Sequence, residues 1–252
     1  MLRFGHLNIT VADLDRSVGY YERDIGLVVR ERDAGRAALG TGGEDLLVLT
    51  EQPGAQPAEG YAGLFHFALL LPARTDLGRW LKHAARDRIE LTGMSDHRVS
   101  EALYLRDPDY HGIEIYADRP RETWEGKVDR TMTTIPLDTA DLVRGIDDGP
   151  FEGLPVGTTM GHVHFCVAEI PSTVEFWQGL GFELMAQLRE QAAFLATGGY
   201  HHHVGANTWQ SAGAPYAPAD RARLIGATIY GATEDRELLD PSGIPLTLSS
   251  AS

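Results

Sequence analysis

The chain repeats one order of elements, a strand followed by a helix and three further strands, about every sixty residues. In the first unit, residues 4–11 alternate between apolar and polar side chains, as expected of a strand with one buried face. Asp13 offers an N-cap for the helix, and Gly26 ends it. Three strand-like runs then follow at residues 27–31, 36–39 and 45–51. A unit of this kind predicts a mixed α+β fold.

The second and third units keep the same order. In the second, a strand and a helix precede three further strands, at residues 64–71, 75–86, 90–92, 101–105 and 112–116. The third restarts at Gly161, where His162 falls on the position of His6 in the first unit. Its helix and next two strands are expected at residues 172–180, 182–188 and 192–196.

The fourth unit is predicted to begin at Gly199 and to be incomplete. After a strand at residues 224–230 there is room only for a short helix at 234–239 and a strand at 244–248. Residues 119–159 are rich in Asp, Gly, Pro and Thr, which predicts a linker with one short helix near 139–144. We therefore expect four βαβββ modules paired into two domains, at residues 1–118 and 160–252.

Charge and composition limit the partners of the chain. The formal net charge is −14 over 252 residues, which argues against binding to nucleic acid or to an anionic membrane. The single cysteine, Cys166, excludes an intramolecular disulfide and a zinc site built from several cysteines. Residue 1 leads directly into a strand-like run, and no apolar stretch approaches the length of a membrane span. The expected location is the cytoplasm.

Three polar residues stand on the polar faces of predicted strands. His6 and His66 lie in the first strands of the first two units, and Glu114 lies in the last strand of the second, between Ile113 and Ile115. Each alone would fit a half-buried histidine or a solvated edge-strand carboxylate. Together, at equivalent places in a repeat, they predict a facial triad of two imidazoles and one carboxylate. Such a triad suits non-haem Fe(II), with Mn(II) as the alternative, and leaves positions open for a substrate and O₂.

The motifs at His6–Leu14, Ser100–Asp109, Gly112–Pro120 and Gly199–His203 resemble those of the vicinal-oxygen-chelate superfamily. Nearly the whole chain is similar to two-domain extradiol dioxygenases of the catechol 2,3-dioxygenase type. The resemblance implies ring cleavage of a small aromatic diol with O₂, dependent on Fe(II), in a homo-oligomer. Other enzymes of the superfamily, which cleave hydroquinone-like rings or isomerise substrates, are the first alternative. A metal-free drug-binding protein of the same fold is the second, although it has no need of the triad.

The superfamily has four strand positions that face the metal. The resemblance places the fourth on Val48, which cannot bind a metal and so argues against a glyoxalase I. In the second half, His162 and one of His201, His202 or His203 fall at ligand positions, but the carboxylate position falls on Thr247. This half is therefore interpreted as a site that has lost its metal.

Two further residues are candidates for the chemistry. Tyr104 lies ten residues before Glu114, where extradiol enzymes carry a tyrosine that bonds the substrate oxygen. His97 lies on the approach to the same hairpin and could move a proton or bind substrate. A packed aromatic and a surface histidine are the alternatives. No histidine near the end of the first unit matches the distal acid of the family.

Overall fold

The computed structural model describes residues 1–250, and its first unit has the predicted order. The unit comprises β1 (Arg3–Val11), α1 (Leu14–Tyr20), β2 (Val28–Arg32), β3 (Arg36–Gly40) and β4 (Asp45–Glu51). The Asp13 side chain accepts a hydrogen bond from the Arg16 amide, as the predicted N-cap requires. A π-helical turn, Tyr21–Ile25, extends α1 and ends at Gly26, whose φ of 93° is the left-handed conformation that glycine tolerates.

The second unit follows a short connection that contains β5 (Gln56–Pro57). It comprises β6 (Gly63–Leu70), α2 (Arg74–Asp87), β7 (Gly93–Asp96), β8 (Ser100–Arg106) and β9 (Gly112–Asp118). The strand predicted at 90–92 is wrong by a few residues, because pairing with β8 begins only at Gly93. The segment expected to be a linker contains a 3₁₀ turn (Arg121–Thr123), α3 (Val128–Thr131), β10 (Ile135–Pro136) and α4 (Thr139–Leu142).

The third unit is complete. It comprises β11 (Thr159–Cys166), α5 (Ile170–Gly179), β12 (Glu183–Leu188), β13 (Ala192–Ala196) and β14 (Val204–Asn207). The prediction that the fourth unit begins at Gly199 is wrong. Residues 199–209 include the last strand of the third unit, because β14 pairs with both β11 and β13.

The fourth unit has strands but no helix among residues 224–250. After β15 (Arg221–Ala222) in the connection, it comprises β16 (Leu224–Tyr230), β17 (Arg236–Leu239) and β18 (Pro245–Ser249). The short helix predicted at 234–239 is wrong, since β17 is an antiparallel strand paired with β18. Five residues connect β16 to β17, which is too short for a helix that crosses a sheet.

Two large sheets pair the units in an order that the sequence did not indicate. Within residues 1–250, the seven-stranded β1 sheet has the order β17-β18-β16-β1-β4-β3-β2, which joins the first unit to the fourth. The nine-stranded β6 sheet has the order β10-β7-β8-β9-β6-β11-β14-β13-β12, which joins the second unit to the third. The α+β class with four paired modules is as predicted, but each sheet takes strands from both halves of the chain.

The core lies on one face of each sheet, and the opposite face of the β6 sheet is free for polar groups. In β6, Phe67 and Leu69 are fully buried in the main core, whereas His66 and Ala68 alternate with them and face the other way. Phe67 packs near Tyr21, so the first unit's helical segment covers the second unit's sheet. Within residues 1–250, no helix combines the length and apolar character needed to cross a membrane.

Candidate metal centre

Three donor atoms converge on the polar face of the β6 sheet. They belong to His66 on β6, Glu114 on β9 and His162 on β11. Glu114 Oε2 lies 3.0 Å from Nε2 of His66 and 3.0 Å from Nε2 of His162, and the two Nε2 atoms are 3.3 Å apart. The three residues are 7%, 2% and 1% exposed, so bulk water does not solvate the carboxylate. A carboxylate buried in this way needs a positively charged partner.

The sheet register brings these residues together. β6 lies between its parallel neighbour β9 and its antiparallel neighbour β11. Ala68 pairs with Glu114 on one side and with His162 on the other, and His66 lies two residues before Ala68 on the same face. Period-two alternation therefore puts all three side chains on one surface patch.

The turn before β9 sets the position at which Glu114 enters the sheet. The Asp107 carboxylate accepts hydrogen bonds from the amides of Asp109 and His111 and, at 2.8 Å, from the Tyr21 hydroxyl. At Gly112 a Cβ would lie 2.1 Å from the Phe65 carbonyl oxygen, so only glycine allows β9 to approach β6 here. The Asp-Pro-Asp turn and its glycine thus fix the register of the carboxylate.

The electrostatics suit a bound cation. Burial by itself raises the pKa of the Glu114 carboxyl, but the facing His162 and His66 rings outweigh it and hold that pKa well below its ordinary value. Burial lowers the pKa of His162, against the opposing effect of Glu114. At neutral pH the site therefore presents an ionised carboxylate and, at His162, a neutral imidazole, which are the forms that bind metals.

The donor geometry fits an octahedral metal with three protein ligands on one face. Ligand atoms about 2.1 Å from a metal and at right angles to one another lie about 3.0 Å apart. The three observed separations are 3.0, 3.0 and 3.3 Å. Two imidazoles and one carboxylate are the donor set of non-haem iron sites with open coordination positions.

The fourth position of this sheet carries no ligand. In the β1 sheet, Val48 pairs with Asn8, which lies two residues after His6. In the β6 sheet, the corresponding residue is His164, two residues after His162, and it pairs with Gly205. A Cβ at Gly205 would lie 2.7 Å from the His164 ring, so the glycine makes room for that ring. In the sheet with the three donors the fourth position is thus Gly205 rather than Val48. Glycine has no side chain to bind a metal, so the argument against a glyoxalase I still holds.

The structure does not bring His6 to this cluster. His6 lies on the β1 sheet, where its Nε2 is 3.3 Å from the Thr228 hydroxyl and its Nδ1 is 3.4 Å from the Tyr230 hydroxyl. The predicted triad of His6, His66 and Glu114 is corrected to His66, Glu114 and His162. The reason is that β11, not β1, is the neighbour of β6. The match between His162 and His6 was visible in the sequence, but it could not tell which of them adjoins His66.

The second-half residues separate in the same way. Thr247 lies on β18 in the β1 sheet and donates to the Glu237 carboxylate at 3.1 Å. His201, His202 and His203 lie in the connection between β13 and β14, and all three are buried. The His202 ring packs on that of His162, with centroids 4.1 Å apart. The loss of the metal from the second half stays an interpretation, but the structure places His162 among the three donors and packs His202 against it.

His202 is the end of a buried hydrogen-bonded chain. Its Nδ1 lies 2.8 Å from Nδ1 of His201, and Nε2 of His201 lies 2.9 Å from the Asp118 carboxylate. Because a carboxylate accepts, His201 carries its proton on Nε2 and accepts at Nδ1 from His202. The remaining nitrogen of His202, Nε2, is then left with a free lone pair. Burial lowers the pKa of His202 well below its ordinary value, which favours this neutral form.

Tyr104 and His97, both predicted from the sequence, are hydrogen-bonded to each other beside the cluster. The Tyr104 hydroxyl lies 2.6 Å from His97 Nε2, and His97 Nδ1 lies 2.8 Å from the Thr133 carbonyl oxygen. The carbonyl can only accept, so Nδ1 carries the proton and Nε2 accepts from Tyr104. Burial, followed by the charge of Glu114, raises the pKa of Tyr104 well above its ordinary value, so the phenol stays protonated.

A cavity of about 750 Å³ opens over the three donors. Its lining includes Tyr104, His97 and His202 together with Asp129 and Met132 from the segment predicted to be a linker. That segment joins the two edges of the β6 sheet, because β10 pairs with β7 and α3 contacts β12. Residues 128–136 thus close the curved sheet into a cup with the donors on its inner surface.

Comparison with known proteins relates this chain to a recognised superfamily. Residues 3–115 match the model of the Glyoxalase/Bleomycin resistance protein/Dioxygenase superfamily. The chain is 39% identical over 232 residues to the catechol-2,3-dioxygenase of Bacillus subtilis strain 168, covering 89% of this chain and 81% of that protein.

Solved structures share the fold at low sequence identity. A Bacillus subtilis protein provisionally described as a dioxygenase superimposes with a TM-score of 0.63 at 12% identity, covering 98% of this chain and 84% of that one. Glyoxalase I from Zea mays gives a TM-score of 0.61 at 15% identity, covering 98% and 92%. The sequence match to the bacterial relative and the shared fold lead to one conclusion: the chain belongs to the glyoxalase, bleomycin resistance protein and dioxygenase superfamily.

Proposed function

We propose that the protein is an extradiol dioxygenase that cleaves the ring of a catechol-type aromatic diol with O₂. The observation that carries the proposal is the facial arrangement of His66, Glu114 and His162 on the inner surface of the cavity. Its similarity to a protein named catechol-2,3-dioxygenase supports the same reaction. In this reaction the ring bond beside the diol breaks, and both atoms of O₂ enter the ring-opened product.

The three residues would hold Fe(II), with Mn(II) as the alternative. When bound, the metal supplies a cation that binds the two diol oxygens and O₂ next to each other. Glu114, which the facing histidines keep ionised, offsets part of the charge of that cation. With three positions taken by protein, three remain for these two small molecules.

Tyr104 and His97 would position the diol and keep a proton near it. The phenol of Tyr104 stays protonated and points to the region between His97 and Glu114. Its single proton is donated to His97 Nε2, so we assign the Tyr104 oxygen the role of hydrogen-bond acceptor from a diol hydroxyl. His97, with its proton held on Nδ1 by Thr133, keeps Nε2 as the acceptor that orients the Tyr104 hydroxyl.

His202 would accept a diol proton and give it back during ring opening. Its Nε2 is free because the Asp118–His201 pair directs the His202 proton to Nδ1. The sequence lacked a histidine at the end of the first unit for this role. His202 of the third unit lines the cavity and packs on the His162 ring, which supports assigning the role to it.

The test compares variants at equivalent positions of the two sheets. Protein purified without oxygen should contain about one iron per chain and should consume catechol and O₂ in equal amounts, giving a yellow ring-opened product. Glu114→Ala should lose both metal and turnover, whereas Thr247→Ala should keep both. Manganese in place of iron would change the metal assignment only.

Two results would contradict the proposal. Absence of any bound metal from wild-type protein would favour a binding protein that sequesters small molecules. Metal binding with turnover of a hydroquinone or an isomerisable substrate, but not of catechols, would favour another enzyme of the superfamily. The cytoplasmic location and the homo-oligomer expected from the sequence stay predictions, which fractionation and analytical ultracentrifugation can check.

A further inference from the structure

The cavity is larger than a catechol ring requires. An apolar cavity of about 150 Å³ is enough to bind benzene. The volume over the donor atoms is about 750 Å³, within the range that holds drug-sized ligands. A catechol bound at His66, Glu114 and His162 would therefore leave most of this volume to solvent.

The wall beyond the donors is aromatic and apolar. The Phe65 and Trp209 rings meet edge to face with centroids 5.4 Å apart, and Phe194 lies on the same side, near His164. Trp209 and Leu188 line the cavity and yet are 49% and 53% exposed. Large apolar groups left in contact with water at a binding site mark the place of an apolar ligand group.

The charges on the lining disfavour an acidic ligand. Among the described residues that line the cavity, Arg106 is the only lysine or arginine. Its guanidinium donates to the Tyr110 carbonyl oxygen at 2.9 Å and lies over the Tyr110 ring, so it is already engaged. Asp129 contributes a carboxylate to the same lining, and it would repel a carboxylated substrate.

We propose that the substrate is a catechol carrying a bulky, uncharged apolar substituent, such as an aryl group. This proposal rests on the proposed function for the diol end of the ligand. The substituent packs against the aromatic wall of Phe65, Phe194 and Trp209 and against Met132 and Leu188, which line the same cavity. Residues 128–136, which close the cup, thereby set the size of the substituent.

The first test measures binding to metal-free protein, where catalysis plays no part. Trp209 fluorescence is titrated with biphenyl-2,3-diol, catechol and 3,4-dihydroxybenzoate, and Trp209→Phe identifies its share of the signal. We expect biphenyl-2,3-diol to bind roughly tenfold or more tightly than catechol, because a second ring is buried. Tighter binding of 3,4-dihydroxybenzoate, lost in Arg106→Gln, would overturn the proposal, as would equal binding of the two uncharged diols.

The second test fills the part of the cavity beside the aromatic wall. Ala186 lines the cavity on β12 and pairs directly with Phe194 of that wall. Ala186→Phe should lower the preference for biphenyl-2,3-diol over catechol, measured as a ratio of kcat/KM, by roughly tenfold. Leu184→Phe is the matched control, because Leu184 lies on the same strand outside the lining, and it should leave the ratio unchanged. An unchanged ratio in Ala186→Phe would overturn the assigned position of the substituent.

The two proposals fail in different ways. If metal-free protein prefers the aryl diol but the iron-loaded protein cleaves no diol, the substituent site stands and the dioxygenase fails. If the loaded protein cleaves catechols but prefers carboxylated ones, the dioxygenase stands and the substituent site fails.

Discussion

The two large sheets are built on the same plan but differ in what their inner faces carry. In the β6 sheet, Ala68 pairs with Glu114, and the corresponding pair in the β1 sheet is Thr228 with Thr247. His162 corresponds to His6, and His66, two residues before Ala68, corresponds to Gly226. One sheet thus presents two histidines and a carboxylate, whereas the other presents a histidine, a glycine and a threonine. The shared fold places three positions side by side in each sheet, and the two sheets differ in the side chains at those positions.

The corresponding polar residues of the β1 sheet form hydrogen bonds with other side chains of that sheet. Thr247 donates to Glu237, and His6 lies within 3.4 Å of the hydroxyls of Thr228 and Tyr230. Burial lowers the pKa of His6, and the nearby Asp45 carboxylate opposes this. These positions match those of the three donors, but their side chains are hydrogen-bonded to neighbouring side chains of the β1 sheet.

The largest expected difference between the sheets is in metal affinity. Because Nε2 of His66 lies in the cluster and that of His6 does not, His66→Ala should weaken Fe(II) binding by a hundredfold or more, roughly, while His6→Ala should change it little. Titration of metal-free protein with Fe(II) under anaerobic conditions measures both. Equal losses in the two variants would mean that His6 is a ligand after all.

A second metal site should form when the missing donors are restored. The double variant Gly226→His with Thr247→Glu would complete a triad with His6 in the β1 sheet. The atoms nearest to a Cβ at Gly226 belong to the flexible Asn8 side chain, the first at 3.2 Å, so this side chain must shift slightly to admit the new residue. Elemental analysis should give about two metal ions per chain, the second bound more weakly. A ratio that stays at one would show that the two faces differ in backbone geometry as well as in side chains.

The turns before the last strands give a further comparison. Asp109 accepts from the Ala12 amide and from Arg16 Nη2, at 3.2 and 2.6 Å, and so joins the second unit to the helix start of the first. In the fourth unit, Ser242 accepts from the Ala168 amide at 2.9 Å and joins it to the third. The same contact is thus made by a charged group in one half and by a neutral hydroxyl in the other.

Asp109→Ala should therefore destabilise the protein more than Ser242→Ala does. Removal of the buried carboxylate leaves three donors, the Ala12 amide, the Arg16 guanidinium and the Ser17 hydroxyl, without their acceptor, at a cost of about 3 kcal/mol. Loss of the single neutral hydrogen bond of Ser242 should cost about 1 kcal/mol. Urea unfolding of the metal-free variants gives both values, and the reverse order would contradict the comparison.

The last comparison concerns the dependence of stability on pH. Burial lowers the pKa of His203, beside the β6 sheet, to about 4. Between about pH 6.5 and pH 4 the unfolded chain binds a proton here that the folded chain does not, so the free energy of unfolding falls as the pH falls. From pH 7 to pH 5 this residue should account for about 2 kcal/mol of lost stability.

His203→Asn should remove that part of the pH dependence. Asparagine keeps an acceptor for the Thr197 amide, which bonds His203 Nδ1 at 3.3 Å. Unfolding of metal-free protein at pH 7 and pH 5 is the measurement, with His6→Asn as the control in the other sheet. His6 is only partly buried, so its variant should change the pH dependence less. Identical pH dependence in His203→Asn and wild type would refute the assignment.

Most of the local structure was predictable because its causes are local. Alternation in residues 4–11 and 64–71 identified β1 and β6 together with their polar faces, and Asp13 correctly marked the start of α1. The exceptions were short segments. Residues 234–239 show no hydrophobic period that distinguishes a helix from a strand. Four of them form β17 because β18 lies beside them. A strand that depends on its neighbour cannot be identified without knowing the neighbour.

The sequence by itself determined the repeated module, the superfamily and the polar side chains available for a metal, including His66, Glu114 and the twin motifs of His6 and His162. Only the tertiary structure decided which twin joins the cluster. Backbone hydrogen bonds between strands are alike whichever strand is the partner, so the alternation that defines a face does not define its neighbour. The long segment between the second and third units lets β11 lie against β6, and the side chains that meet there are His66 and His162.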